Sequence, residues 1–140
     1  MIKYKKLPAN IEDLIPKALN YLQSKPDILF AYLFGSFGKG KHFPLSDVDI
    51  AVYLKEPTDV QEKKMDILGA LIDILQTDEI DLVVLNSAPL PLRMRILENK
   101  KVVVDREPFL RHHYESLTMR EYFDFSILEG QILSRRFLSG

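Results

Sequence analysis

The sequence predicts an α+β (α/β) fold, a small mixed β-sheet of about four to five strands packed with helices. Three observations carry this reading. Ile28-Leu29-Phe30-Ala31-Tyr32-Leu33-Phe34 is a continuous apolar run of strand length that ends at Gly35, as expected of a strand covered on both faces. Three further strand-length runs follow it, Val48–Leu54, Ile80–Leu85 and Lys101–Asp105. Segments with apolar residues at helical spacing lie before, between and after them, giving the order helix, strand, strand, helix, strand, helix, strand, helix. With 140 residues the chain reads as one domain, 1–140, long enough to bury a true core, with a C-terminal helical tail from about residue 108.

Each element has its own signals. Asn10 is placed to cap a first helix running to about Ser24, in which Ile11, Leu14, Ile15, Ala18 and Leu22 form one face. Pro16 inside that pattern argues for a later start or a kink, and Pro26 closes the segment. Pro57 and Thr58 end the second strand. Thr58 and Gln61 have capping-box spacing ahead of a helix whose face is marked by Met65, Leu68, Leu71, Ile72 and Leu75. Asn86 to Pro91 leads into a short helix through about Glu98, with Asn99 as its stop. From Pro108, suited to a first turn, one or two helices extend to about Phe137, with Gly130 a candidate break. Tyr114 to Phe125 are expected to pack on the sheet. Arg135 to Gly140 are equally suited to solvent and to a partner surface.

Composition narrows the function. Apolar residues make up 46% and charged residues 28%, ordinary for a soluble globular chain. A net charge of −1 excludes a chain that binds nucleic acid by overall charge, so no direct nucleic-acid binding is expected. The absence of cysteine excludes disulfides and thiolate metal sites and fits a reducing cytoplasm. No run approaches the roughly 20 apolar residues of a membrane helix, and the basic start has no apolar segment behind it. A cytoplasmic protein without membrane contact is expected.

The chemistry concentrates between Leu33 and Val52. Asp47 and Asp49 sit two residues apart at the opening of a strand, so their carboxylates project from one face, about 6.5–7 Å apart along the chain. Carboxylates placed side by side repel and need a cation or solvent between them, and hard oxygen ligands suit Mg²⁺ or Mn²⁺. Asp81 opens a later strand after a helix of the length needed to return the chain. If the two strands are neighbours, three carboxylates converge, the arrangement that two metal ions require for in-line displacement at phosphorus. A lone aspartate of this kind is ordinarily a solvated strand end. Three in this arrangement are not explained that way. The turn before Asp47 offers the other half of a site. Gly35 follows a buried strand, Ser36 brings a hydroxyl and a backbone N–H, and Gly38 and Gly40 let the backbone approach a ligand. The spacing fits neither a P-loop nor a dinucleotide fingerprint.

Gly35-Ser36, ten intervening residues, then Asp47-Val48-Asp49 resembles the GSX10DXD signature of the polymerase-β-type nucleotidyltransferase superfamily, and the small size is similar to its minimal nucleotidyltransferases, the MNT proteins. Among these the chain looks most like the MntA-type antitoxins paired with HEPN toxins. The resemblance covers roughly Ile28 to Val104. It implies a polymerase β-like fold, ATP as substrate and two Mg²⁺ ions. Gly35 and Ser36 would hold the β- and γ-phosphates, Asp47 and Asp49 would bind both metals, and Asp81 would bind the acceptor-side metal and draw the proton from the attacking hydroxyl. Lys41, with Lys39 and His42, is a candidate for the triphosphate, although basic loop residues are more often only solvated. Arg93 and Arg95 are equally suited to a nucleotide, a partner or the helix surface, and His112 and His113 read as surface residues.

Larger relatives add a helical domain that grips the acceptor, and none is expected within these 140 residues. The acceptor is therefore expected on a partner. The first reading is an adenylyltransferase moving AMP to a hydroxyl, with tyrosine favoured, of a HEPN ribonuclease toxin. One alternative is an antitoxin that neutralises its toxin by binding alone. Another is an aminoglycoside-type nucleotidyltransferase whose site is completed by oligomerisation.

Overall fold

Among the described residues four strands form one mixed sheet, and the apolar first strand takes its interior. β1 (Ile28–Phe34) lies between β2 (Val48–Leu54) and β4 (Lys101–Asp105) and runs antiparallel to both; β3 (Ile80–Val84) lies outside β2 and parallel to it, giving the order β3-β2-β1-β4. The structure, a computed structural model, describes residues 7–38, 47–56 and 58–138, with side chains through Gln131. The α+β class and four-stranded sheet are those the sequence predicts. Leu85 leaves the expected third strand and opens a 3₁₀ turn, Leu85–Ser87.

Helices cover both faces of the sheet. α1 (Ile11–Ser24) and α3 (Val60–Leu75) pack on one face, where Leu14, Ala18, Leu22, Ile67, Leu71 and Leu75 meet Leu33, Ile50, Val52 and Leu82. α4 (Leu90–Glu98) and the start of α5 (Pro108–Leu138) cover the other, where Ile96, Leu97, Leu110 and Tyr114 meet Phe30, Tyr32, Phe34 and Ala51. β1 is apolar throughout because it feeds both cores. Its Phe30 ring stacks on Tyr53 at 4.7 Å, and Tyr114 stands edge-on to Tyr53 at 5.5 Å.

Several local expectations change. α1 starts at Ile11 and runs through Pro16, whose ring only removes one N–H from the ladder, and Asn10 makes no side-chain cap bond. The Thr58–Gln61 capping box is not formed; α3 is entered through Asp59 in the left-handed region at φ 54°. Met65 is 61% exposed, because the buried stripe is Ile67-Leu71-Leu75 and residue 65 lies about 160° round the helix from Ile67. α5 is one 31-residue helix that passes through Gly130 without a break. Tyr114 packs as expected, whereas Tyr122, Phe123 and Phe125 are exposed. Among the described residues no helix is long and apolar enough to cross a membrane.

A polar network fixes α5 to the sheet. The Tyr32 hydroxyl donates to buried Glu115 at 2.6 Å. Arg111 grips Asp105 with two parallel bonds of 2.9 and 3.0 Å and also donates to Glu115. Lys100 completes the cationic surround of Glu115 at 3.5 Å. Burial, then the bond to Glu115, pushes the Tyr32 phenol far above its ordinary range, and burial raises that of Tyr114. The hydrogen bond to Asp105 holds Arg111 firmly protonated.

Tyr32→Phe removes a donor from a buried carboxylate and is expected to cost about 2 kcal/mol of stability, measured by urea unfolding. The sign with pH follows from the raised phenol. The folded state keeps a proton that the unfolded state loses above about pH 10, so this contribution is complete below that pH and is lost as pH rises further. Tyr32→Phe is expected to flatten that alkaline decline.

Candidate active site

The register of three strands brings the predicted residues to one end of the sheet. Phe34, the residue before Gly35, pairs with Asp49, and Asp49 pairs in turn with Asp81 on the parallel strand β3. Neighbouring strands lie about 4.8 Å apart, so Gly35, Asp49 and Asp81 form a short row across β1, β2 and β3. Alternation along each strand sets the side. Val48, Ile50 and Leu82 enter the core under α1 and α3, while Ala51 and Val83 face α4 and α5. Asp47, Asp49 and Asp81 therefore project from the α4/α5 face. Asp47 and Asp49 are partly buried and Asp81 is exposed.

Gly35 is the tightest point of this row. Its φ of +65° is a left-handed conformation that only glycine adopts at no cost, and a Cβ built there would stand 2.2 Å from Asp49 Oδ2. The turn thus lies directly against the Asp49 carboxylate. Gly35 opens a four-residue helical turn, α2 (Gly35–Gly38), in which Ser36 is partly exposed and Phe37 is buried in the α1/α3 core. Three bonds steady the far strand. The Val48 N–H donates to the Glu79 carbonyl at 3.0 Å, and Asn86 exchanges two bonds of 2.9 Å with the backbone of Leu54. The Asn86 clamp has no sequence signal, since the residue reads as ordinary loop.

Lys39, Gly40, Lys41 and His42 lie outside the described residues. Arg93 turns inward, donating to Thr118 and Glu121 with its guanidinium over the Tyr114 ring, so it serves the α4–α5 contact. Arg95, His112 and His113 are exposed. Among the described residues no three His, Asp or Glu side chains stand close enough to form a ready-made metal cluster. The row is therefore three carboxylates on one face and end, beside a turn that approaches one of them closely.

This end of the sheet thus holds a glycine turn packed on the second of two alternating aspartates, with a third carboxylate on the next strand. The family described as "Polymerase beta, Nucleotidyltransferase" matches residues 16–109, and the chain belongs to that family. Among solved structures, it is similar to a chain of a toxin–antitoxin with AMP-PNP, at 26% identity and TM-score 0.68, covering 88% of this chain and 95% of that one. It is also similar to a chain of an MntA-HpeT toxin–antitoxin variant, at 26% identity and TM-score 0.67, covering 88% and 94%. Its fold is shared with a chain of the Shewanella oneidensis complex of tri-AMPylated HEPN toxin and MNT antitoxin, at 24% identity and TM-score 0.63, covering 89% and 93%. No curated protein matches by sequence.

Gly35→Ala combines a left-handed backbone with the clash against Asp49. It is expected to lower stability by about 2 kcal/mol or more in a denaturant melt. Gly69→Ala, on an open stretch of α3, is the control and is expected to be neutral or slightly stabilising.

Proposed function

We propose that this protein is an antitoxin adenylyltransferase that transfers AMP from ATP to a hydroxyl, tyrosine being favoured, of a cognate HEPN ribonuclease toxin and thereby silences it in the cytoplasm. The observation that carries this reading is the row of Gly35, Asp49 and Asp81 across three adjacent strands, with Asp47 two residues from Asp49 on the same face. The likeness to a toxin–antitoxin chain solved with AMP-PNP supports ATP as donor. The tri-AMPylated toxin of the Shewanella complex supplies the precedent for a protein acceptor, carried here by likeness of fold.

In this reading the Gly35–Ser36 turn holds the β- and γ-phosphates: Gly35 lets the turn close against Asp49, and Ser36 offers a hydroxyl and an N–H. Lys41 adds positive charge to the triphosphate. Asp47, Asp49 and Asp81 are hard oxygen donors that fit Mg²⁺, which when bound neutralises phosphate charge and polarises the α-phosphate. Asp81, the exposed member, faces the acceptor and takes the proton of its hydroxyl. The hydroxyl oxygen bonds to the α-phosphorus, the bond from that phosphorus to the β-phosphate oxygen breaks, and pyrophosphate leaves with the electron pair.

The second half of α5 supports a protein partner. From Tyr122 to Gln131 every residue is exposed, including Phe123 at 64% and Leu128 at 54%. Large apolar side chains gathered on one projecting helix mark an interaction surface. This surface serves equally an antitoxin that acts by binding alone, so that reading stands as the second and the site variants separate the two.

With α-labelled ATP, Mg²⁺ and the purified partner, label is expected on the partner protein. Asp49→Asn is expected to reduce transfer by about 10²-fold or more, and Asp81→Asn by about 10²–10⁴-fold at unchanged ATP binding. Neutralisation of the toxin by Asp49→Asn without any label would establish the binding-only antitoxin instead. Phe123→Ser together with Phe125→Ser is expected to weaken the complex about tenfold or more by calorimetry while the melting temperature holds.

A further inference from the structure

The outer edge of β3 borders a groove of about 330 Å³ that the site residues do not account for. Asp81, Leu82, Val83 and Val84 all line it, with Val60, Gln61 and Lys64 of α3 on one side and Ser87, Ala88 and Leu92 on the other. Four consecutive strand residues can line one groove only if it runs along the strand's edge, because their side chains alternate between faces. The parallel register, with the Val48 N–H on the Glu79 carbonyl, turns the backbone groups of Glu79, Asp81 and Val83 toward β2. Those of Ile80, Leu82 and Val84 then point outward into the groove. Among the described residues no strand pairs with this edge.

We propose that this groove takes the acceptor segment of the partner protein as a fifth strand beside β3, and so carries the acceptor hydroxyl to Asp81. This rests on the transferase reading above and deepens it by naming how the acceptor is held. The occupant is an extended polypeptide because outward N–H and C=O groups at every second residue match another backbone, and neither a nucleotide nor a small sugar repeats at that spacing. The edge carries none of the usual protection: Ile80-Asp81-Leu82-Val83-Val84 has no proline and no lysine, and its one charge is the candidate site residue. The strand is also held in place for a guest, by Glu79 at its start and by the Asn86 clamp just past its end. Asp81 belongs to both features, so the groove opens directly onto the row of carboxylates. A segment laid there reaches Asp81 with a hydroxyl-bearing residue. Two positions further along, its side chain lies beside Val83 and against Leu92 and Ala88, which suits an apolar residue.

The experiment is amide hydrogen exchange on the full chain, read residue by residue, free and in complex with the partner. Protection of the Ile80, Leu82 and Val84 amides on adding the partner is expected. Exchange at those amides unchanged from the free protein would overturn the proposal, as would equal protection by Mg²⁺ and ATP without the partner. Ala88→Arg, which fills the groove from its rim, is expected to raise the KM for the partner about tenfold or more at unchanged kcat and unchanged ATP affinity. An unaltered KM would count against the groove. The two readings fail separately: protection without any label transfer retains the groove and removes the transferase, whereas transfer without protection does the reverse.

Discussion

The contact on which the site depends is that between the Gly35 backbone and the Asp49 carboxylate. It exists because β1 ends at Phe34, the residue that pairs with Asp49, and because residue 35 has neither a Cβ nor any difficulty with a positive φ. A side chain at this position would displace the carboxylate, the turn, or both. The strand pairing then extends the constraint outward. Asp49 is fixed by its place in the ladder, and the parallel register sets Asp81 beside it. No long-range side-chain contact is needed to assemble the row, since the backbone ladder does it. This is how so small a sheet sets three aspartates on one face and at one end.

The same sheet treats its two edges differently. β4 is tied down: Gln23 donates to the Val103 carbonyl, Arg106 donates to carbonyls of Gln23, Lys25 and Ile28, and Arg111 joins Asp105 to Glu115 on α5. Apart from that of the Gln23 amide, these bonds use charged donors on backbone and carboxylate acceptors, the stronger class. β3 has no such cover on its outer side among the described residues, although an apolar edge strand is ordinarily shielded against association. The difference is one of chemistry as much as of order, because the open edge is the one that carries a site carboxylate.

How much of this was legible in the sequence follows from how local each cause is. β1, β2 and β4 have the predicted bounds because Gly35, Pro26 and the charged residues after each run punctuate short apolar stretches. The row of carboxylates was legible as a condition, that β3 lie beside β2, and the register fulfils it. Met65 was misplaced because α3 carries apolar residues on more than one side, and only packing chooses between Met65-Leu68-Ile72 and Ile67-Leu71-Leu75. The attachment of α5 through Glu115 and Thr118 could not be read, since buried polar residues look like solvated ones until their partners are known. Periodicity likewise cannot show an open strand edge, which is a property of strand order.

The placement of helices gives the site its division of labour. α4 and the start of α5 cover the face that bears the aspartates, but they pack on Phe30, Tyr32, Phe34 and Ala51, leaving Asp81 exposed. Arg93, a candidate for the nucleotide, joins α4 to α5 instead, and Tyr114 holds the turn at Leu85. The described residues at this end of the sheet therefore present carboxylates and a glycine turn, with Arg93 already engaged in the fold. A site that is rich in fixed negative charge needs countercharge from what it binds. In the proposed function, divalent metal with a nucleoside triphosphate would meet that need on the Gly35 side, and on the Asp81 side a neutral hydroxyl would approach without adding to the repulsion.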